Sequence, residues 1–139
     1  MILQRDSRLK AEINEWGCYL MSILFLVNKY TNRELSPDII NELYHTFHKK
    51  GWIDEEIRIL DPNSIFAYLG LSVRYTDRHE SPEVECREDE IEILRWEHSV
   101  YGGHFTVGNG KGVCTYDTWG VSHAATEGTL ASKRIFRRL

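Results

Sequence analysis

Cys18, His104 and Asp117 stand in the chain order of a nucleophile, a base and an orienter. A thiol attacks as its thiolate, and a free thiol is only about a few per cent ionised near neutral pH, so a cysteine nucleophile needs help from its setting. Cys18 follows Trp16-Gly17 and opens an apolar run from Tyr19 to Tyr30 whose pattern predicts a buried helix. The positive end of the helix dipole and the first backbone N–H groups then fall at the sulfur, where they favour a thiolate and an oxyanion. His104 begins the strand-like His104-Phe105-Thr106-Val107, and Asp117 closes Val113-Cys114-Thr115-Tyr116-Asp117. On adjacent antiparallel strands these two lie side by side, with the carboxylate on one ring nitrogen and the other left for the thiol proton. The expected geometry is a sulfur within hydrogen-bond reach of His104, or slightly beyond, and Asp117 on the far nitrogen.

Taken singly, each residue has a plainer explanation. A cysteine in an apolar helix is usually a small core residue, a strand histidine is usually surface or satisfied, and an Asp before Thr-Trp-Gly is often a turn former. The ordered set, with glycine before the cysteine and a hairpin joining the other two, is what points to acyl transfer. Other sets are weaker. His45 and His48 have a metal-like spacing, but no companion acid or cysteine stands at a matching distance and Lys49-Lys50 follows, so they read as a solvated helix face. Cys114 lies three residues before Asp117, which in a regular strand puts it on the opposite face. Cys86 sits in an acidic loop and reads as exposed and incidental. His123 near Cys114 completes no zinc set, so no metal and no cofactor is expected. Trp16 and Trp119 flank the trio and are candidates, with Tyr19, to line a substrate cleft; Trp96 reads as core.

Around these residues the punctuation of the chain predicts helices first and strands after. The first ten residues are polar and irregular. A helix over Gly17–Lys29, apolar on nearly every side, is central, and Asn32 ends it. Ser36 as N-cap, Pro37, Asp38 and a Gly51 stop bound the next helix, whose stripe is Ile39, Ile40, Leu43, Tyr44 and Phe47. A short third helix runs from Asp61-Pro62 to Gly70. Ser72–Thr76 has strand composition, Arg78–Asp89 reads as an exposed loop, and Glu90–His98 alternates in part as a half-buried strand does. Gly102-Gly103 and Gly108-Asn109-Gly110-Lys111-Gly112 are turn signals, the second a hairpin between the His104 and Asp117 strands. A last strand is expected within Ser132–Leu139. The order predicts an α+β fold, with the Cys-bearing helix packed on a C-terminal antiparallel sheet.

Length and charge narrow the classes further. At 139 residues, 42% hydrophobic and 27% charged, the chain is expected to be one domain spanning 1–139 with a real core. A net charge of −4 gives no basis for nucleic-acid binding, and Lys133-Arg134-Ile135-Phe136-Arg137-Arg138 reads as a solvated strand edge or tail. The longest apolar run falls well short of the roughly 20 residues of a membrane span. No charged-then-apolar leader opens the sequence, and three cysteines without a CxxC pair fit a reduced, cytoplasmic setting. No membrane partner is expected, and nothing sets an oligomeric state.

On these residues the chain resembles the papain-like cysteine peptidases, most nearly the compact type that processes bacteriocin precursors with double-glycine leaders. The likeness rests on Trp16-Gly17-Cys18-Tyr19-Leu20-Met21, Leu35-Ser36-Pro37-Asp38, Ile65-Phe66-Ala67-Tyr68-Leu69-Gly70-Leu71, His104-Phe105-Thr106-Val107 and Tyr116-Asp117-Thr118-Trp119-Gly120. The resemblance implies a papain-like fold with Cys18 as nucleophile, His104 as general base and acid, and Asp117 as orienter. It implies hydrolysis of an amide through a thioester. Papain-like enzymes carry an oxyanion glutamine about six residues before the cysteine. Here that position is Glu12, which offers no donor when ionised, so Asn14, or Gln4 if the N-terminal segment folds back, are the substitutes. Losing an oxyanion donor costs on the order of a hundred- to a thousandfold in rate. Tyr19 replaces a small or polar residue and narrows the cleft. Three functions follow as expectations: a peptidase or amidohydrolase acting on a peptide, isopeptide or cell-wall cross-link; an inert papain-like domain binding a peptide or protein in its cleft; or acyl transfer to an amine.

Overall fold

The helix that carries Cys18 is the axis of the molecule. In the computed structural model, which describes residues 1–79 and 81–139 and omits the side chains of 77–79, this helix, α2, spans Cys18–Thr31. Its residues Leu20, Met21, Ile23, Leu24, Leu26 and Val27 are all buried, so packing on several sides, rather than a single amphipathic face, holds it. Asn32 ends it in the left-handed conformation (φ 55°), which Asn tolerates.

Before α2 comes a short helix, α1 (Ala11–Trp16), inside the stretch just ahead of the expected helix. Only Ile13 of α1 is buried, so it leaves no apolar period to read. α3 (Pro37–Lys49) starts where the capping signal puts it, with Ser36 accepting from the Ile39 N–H. Its Ile40, Leu43 and Phe47 are buried, while Ile39 is exposed. α4 (Pro62–Tyr68) is capped by Asp61, which accepts from the Ser64 N–H. The strands are β1 (Val73–His79), β2 (Glu90–His98), β3 (Gly102–Gly108) and β4 (Cys114–Asp117), then a short helix α5 (His123–Glu127) and β5 (Thr129–Arg138). The fold is α+β, with helices packed on a five-stranded antiparallel sheet of order β1-β5-β2-β3-β4. α2 packs on β3, and α5 packs on β2 and β3. Among the described residues no helix is long and apolar enough to cross a membrane.

Four expectations are corrected. The basic C-terminal segment is no sheet edge: β5 lies between β1 and β2, and Lys133, Ile135 and Phe136 are buried. Apolar residues interleaved with the charges explain this: Ile135 and Phe136 enter the core, Arg137 reaches solvent, and Lys133 is buried against Glu92. β2 is buried over four consecutive residues, Ile91 to Leu94, since helices and loops cover both of its faces. The expected loop over Arg78–Asp89 begins late, because β1 runs on to His79; Glu80 lies outside the described residues. Within that loop Cys86 is half-buried rather than exposed.

Cys86 is held by a buried ion pair. Lys133 Nζ lies 3.0 Å from Glu92 Oε1, with both side chains almost wholly out of solvent. The other oxygen of Glu92 accepts from the Gly110 and Gly112 N–H groups at 3.0 and 2.8 Å. The Cys86 thiol donates to Oε1 at 3.6 Å, and Lys133 also donates to the Val84 carbonyl. A Cβ on Gly108 would stand 2.3 Å from Glu92 Oε2, so glycine there is a matter of space. One carboxylate thus fixes the turn of the β3–β4 hairpin.

Candidate active site

Gly17 separates α1 from α2. A Cβ at this position would lie 2.6 Å from the Ile13 carbonyl oxygen, so the close approach of the two helices requires glycine. The hydrogen-bond ladder breaks here: Gly17 N–H still donates to Ile13 O, and the next helical bond runs from Met21 N–H to Gly17 O. Cys18 falls in the gap, at the start of α2, with no side chain capping it. The carbonyl that its N–H would reach in a continuous helix, that of Asn14, accepts from Gln4 Nε2 at 3.1 Å instead.

The N-terminal segment does fold back. Gln4 is fully buried, its N–H donates to Thr118 O at 2.8 Å, and its Oε1 accepts from the Thr118 hydroxyl at 2.7 Å. One hydrogen of its side-chain amide goes to Asn14 O, and the other is unclaimed among the described residues. Asn14 is differently placed: its Nδ2 donates to both Gln4 O and Asp6 O, which uses both hydrogens and leaves none for an oxyanion. Glu12 is exposed on α1, where its charge acts on Tyr44 of α3, and it does not line the cleft. Of the three oxyanion candidates, only Gln4 has a free donor.

His104 and Asp117 meet. Nε2 of the buried His104 ring lies 2.8 Å from Asp117 Oδ1. Asp117 Oδ1 also accepts from the Trp119 N–H at 3.0 Å, and Oδ2 accepts from the Ser122 hydroxyl at 2.5 Å. Burial pushes the Asp117 carboxyl up, but the hydrogen bonds from His104, Ser122 and the Trp119 amide outweigh it and hold the group below its ordinary value. An ionised carboxylate can only accept, so Nε2 carries the ring proton and Nδ1 keeps the lone pair. Nδ1 is buried and makes no hydrogen bond among the described residues. Trp119 stacks on the imidazole, with centroids 3.8 Å apart and planes 23° apart, and shields the His–Asp bond from water. Arg5 lies 4.4 Å from the centre of the Trp119 ring.

Cys18 lies at the start of α2, which packs on β3. Alternation along β3 turns Phe105 and Val107 toward α2, where Tyr19 packs on Phe105 at 4.6 Å. His104 and Asp117 belong to the other face, the one covered by α5. The sulfur interacts with the Phe105 backbone N–H, in the peptide unit that directly follows His104. No hydrogen bond joins the thiol to His104. Burial pushes the thiol pKa up, the amides of Phe105, Tyr19 and Cys18 pull it down, and the Asp117 charge adds to the rise. The resting protein therefore favours the neutral thiol, against the expectation that the helix start would prevail.

Cys18 opens on a cleft of about 730 Å³ lined also by Trp16, Tyr19, Phe105 and Trp119, with Ile57–Leu60 and Arg134 among the others, while His104 is buried behind Trp119. All three cleft candidates are thus in place, and Trp16 is 43% exposed. The segment around Ile57 gave no advance signal, because an isolated Ile53–Ile59 bridge and a left-handed Ile57 (φ 55°) shape it. Ser122 was also unforeseen; its signal is the N-cap position before Ala124-Ala125. Cys114 needs correcting. A bulge in the β3–β4 ladder pairs Val107 with Tyr116 but Gly108 with Cys114, which brings Cys114 to the Asp117 face, with its thiol interacting with Thr106. His45 and His48 are exposed on α3.

No curated protein and no solved structure matches the chain. A family model does match, and because it covers residues 1–138, the chain belongs to the family described as Protein of unknown function, DUF261.

Proposed function

We propose that this chain is a papain-like cysteine peptidase or amidohydrolase, cleaving a peptide or isopeptide bond with Cys18, His104 and Asp117. The observation that carries the reading is the His104–Asp117 bond at 2.8 Å, which leaves Nδ1 as a buried, unpartnered base beside a cleft that holds Cys18. Buried polar side-chain atoms are in the large majority hydrogen-bonded, and the orphaned Nδ1 departs from that, as do Trp119 Nε1 and Arg138 Nε.

In the reaction, the Cys18 proton passes to Nδ1 as the sulfur attacks the amide carbonyl. The oxygen of the tetrahedral intermediate takes the Cys18 N–H and the unclaimed hydrogen of Gln4 Nε2. Collapse breaks the C–N bond, and the imidazolium gives its proton to the leaving amine. Water then loses a proton to Nδ1 and attacks the thioester, and the acid leaves as the thiol reforms. An amine in place of water would give transfer rather than hydrolysis. All three cysteines are free, which suits a reducing, cytoplasmic setting.

The test is the alkylation rate of Cys18 against pH, read on the Cys18 peptide by mass spectrometry. His104 must offset the burial of the thiol, so wild type should label fast well below pH 8 and His104→Ala should not. Slow labelling with an ordinary thiol profile in both proteins overturns the enzyme. That outcome, with retained peptide binding, selects the second reading, an inert domain that binds a peptide in the cleft. The missing thiol–imidazole hydrogen bond is the observation in its favour.

A further inference from the structure

We propose that Ser122 is a positioning residue of the same site, its hydroxyl fixing the Asp117 carboxylate so that the carboxylate in turn fixes the His104 ring; this rests on the reading of Cys18, His104 and Asp117 as the reacting group. Ser122 is 4% exposed and its Oγ has two partners. It accepts from the Ala125 N–H at 3.1 Å, as the N-cap of α5, and its one proton then goes to Asp117 Oδ2 at 2.5 Å. The direction is forced, because the carboxylate has no proton to give.

A carboxylate turns about its Cβ–Cγ bond unless both oxygens are held. Oδ1 receives His104 Nε2 and the Trp119 N–H, both on one side of that axis. Ser122 supplies the hold on the other oxygen, and it comes from a different element. α5 itself packs on β2 and β3, and the Ser122 carbonyl accepts from the Thr126 N–H and hydroxyl at 3.0 and 2.7 Å. The position of the hydroxyl is therefore set by the sheet that carries His104. Around the carboxylate the titratable groups are His104 from β3, Cys18 from the start of α2, and Cys114 and Tyr116 on its own strand; α5 contributes the neutral Ser122.

Removing the hydroxyl has two effects of known sign. The imidazole loses its fixed orientation, and the carboxylate loses a donor that favours its ionised form. The acid limb of Cys18 reactivity should then move to higher pH. The experiment compares Cys18 alkylation from pH 4 to 8 in wild type, Ser122→Ala, Ser122→Gly and Thr126→Ala. Glycine removes the same hydroxyl at a cap position it tolerates well, which guards against a folding failure of the alanine variant. Thr126→Ala loosens the first turn of α5 and leaves the donor to Asp117 in place. Both Ser122 variants should label about tenfold or more slowly at pH 7, the scale on which an orienting partner of a functional histidine acts, with the acid limb shifted up. Thr126→Ala should stay close to wild type in rate and midpoint. Ser122 profiles that superpose on a His104-dependent wild-type profile overturn the role of Ser122 alone, as does a Thr126→Ala profile equal to theirs. A wild-type profile unaffected by His104→Ala overturns the underlying reading instead.

Discussion

Gln4 Nε2 occupies, at 3.1 Å, the Asn14 carbonyl that the Cys18 N–H would take if α1 and α2 were one helix. The side chain thereby leaves the amide at the start of α2 without its helical acceptor. Thirteen residues lie between Gln4 and Cys18, and α1 supplies six of them.

Gln4→Glu and Gln4→Ala should therefore slow acyl transfer on the order of a hundred- to a thousandfold, as the loss of an oxyanion donor does. Substitution of Glu12 by Gln should leave the rate unchanged, since Glu12 is exposed and outside the cleft. Acylation of Cys18 by an activated ester, followed in a single turnover, measures both.

Gly17→Ala places a Cβ 2.6 Å from a backbone oxygen. The backbone angles suit alanine (φ −85°, ψ 14°), so the cost comes from crowding, about 1–3 kcal/mol. A lowered urea midpoint with an unchanged m-value is the expected result, together with slower alkylation of Cys18 as the helix start shifts.

Glu92→Gln leaves the Lys133 ammonium buried without its counter-charge. Breaking a buried pair in this way costs about 3–5 kcal/mol, read from equilibrium urea unfolding. Cys86 provides a second readout. Burial, with the Glu92 charge adding to it, pushes its thiol up to about 12, so in wild type it should resist alkylation at pH 8, and in Glu92→Gln it should label faster.

Asp117 makes stability depend on pH at the acid end. Its folded value lies below its unfolded one, near about 3.9. The stabilisation is complete above the unfolded value and disappears as pH falls through the folded one. Urea midpoints between pH 2.5 and 5 should fall more steeply in wild type than in Asp117→Asn.

What could be read in advance was whatever local chemistry decides. Ser36-Pro37 and Asp61-Pro62 start helices because a cap and a fixed φ act within one turn, and β2 runs over the residues its composition marks out. The His104–Asp117 contact was legible because a glycine-rich hairpin brings the two strands together, although the register sets Asp117 opposite Thr106 and His104 meets it on the diagonal. The bulge that turns Cys114 to the Asp117 face was not, since one extra residue in a strand leaves no mark in composition. Nor was the interior place of β5, because strand order is decided by tertiary packing. Gln4 was within reach only as a possibility: nothing between Arg5 and Lys10 says that the segment turns back to Thr118. Ser122 shows the same limit, its cap being local and its bond to Asp117 not.

The position of β5 also sets an order of events on the ribosome. β1 and β2 do not pair with each other; both pair with β5, whose residues are synthesised after all the other strands. Until Thr129–Arg138 has left the exit tunnel, the outer margin of β2 in the β2–β3–β4 meander is unpaired and β1 has no partner strand. Unpaired strand margins invite pairing with other chains. Cys18 is thus made early and the sheet it packs on is finished late, so incomplete chains carry the cysteine-bearing helix without the closed fold.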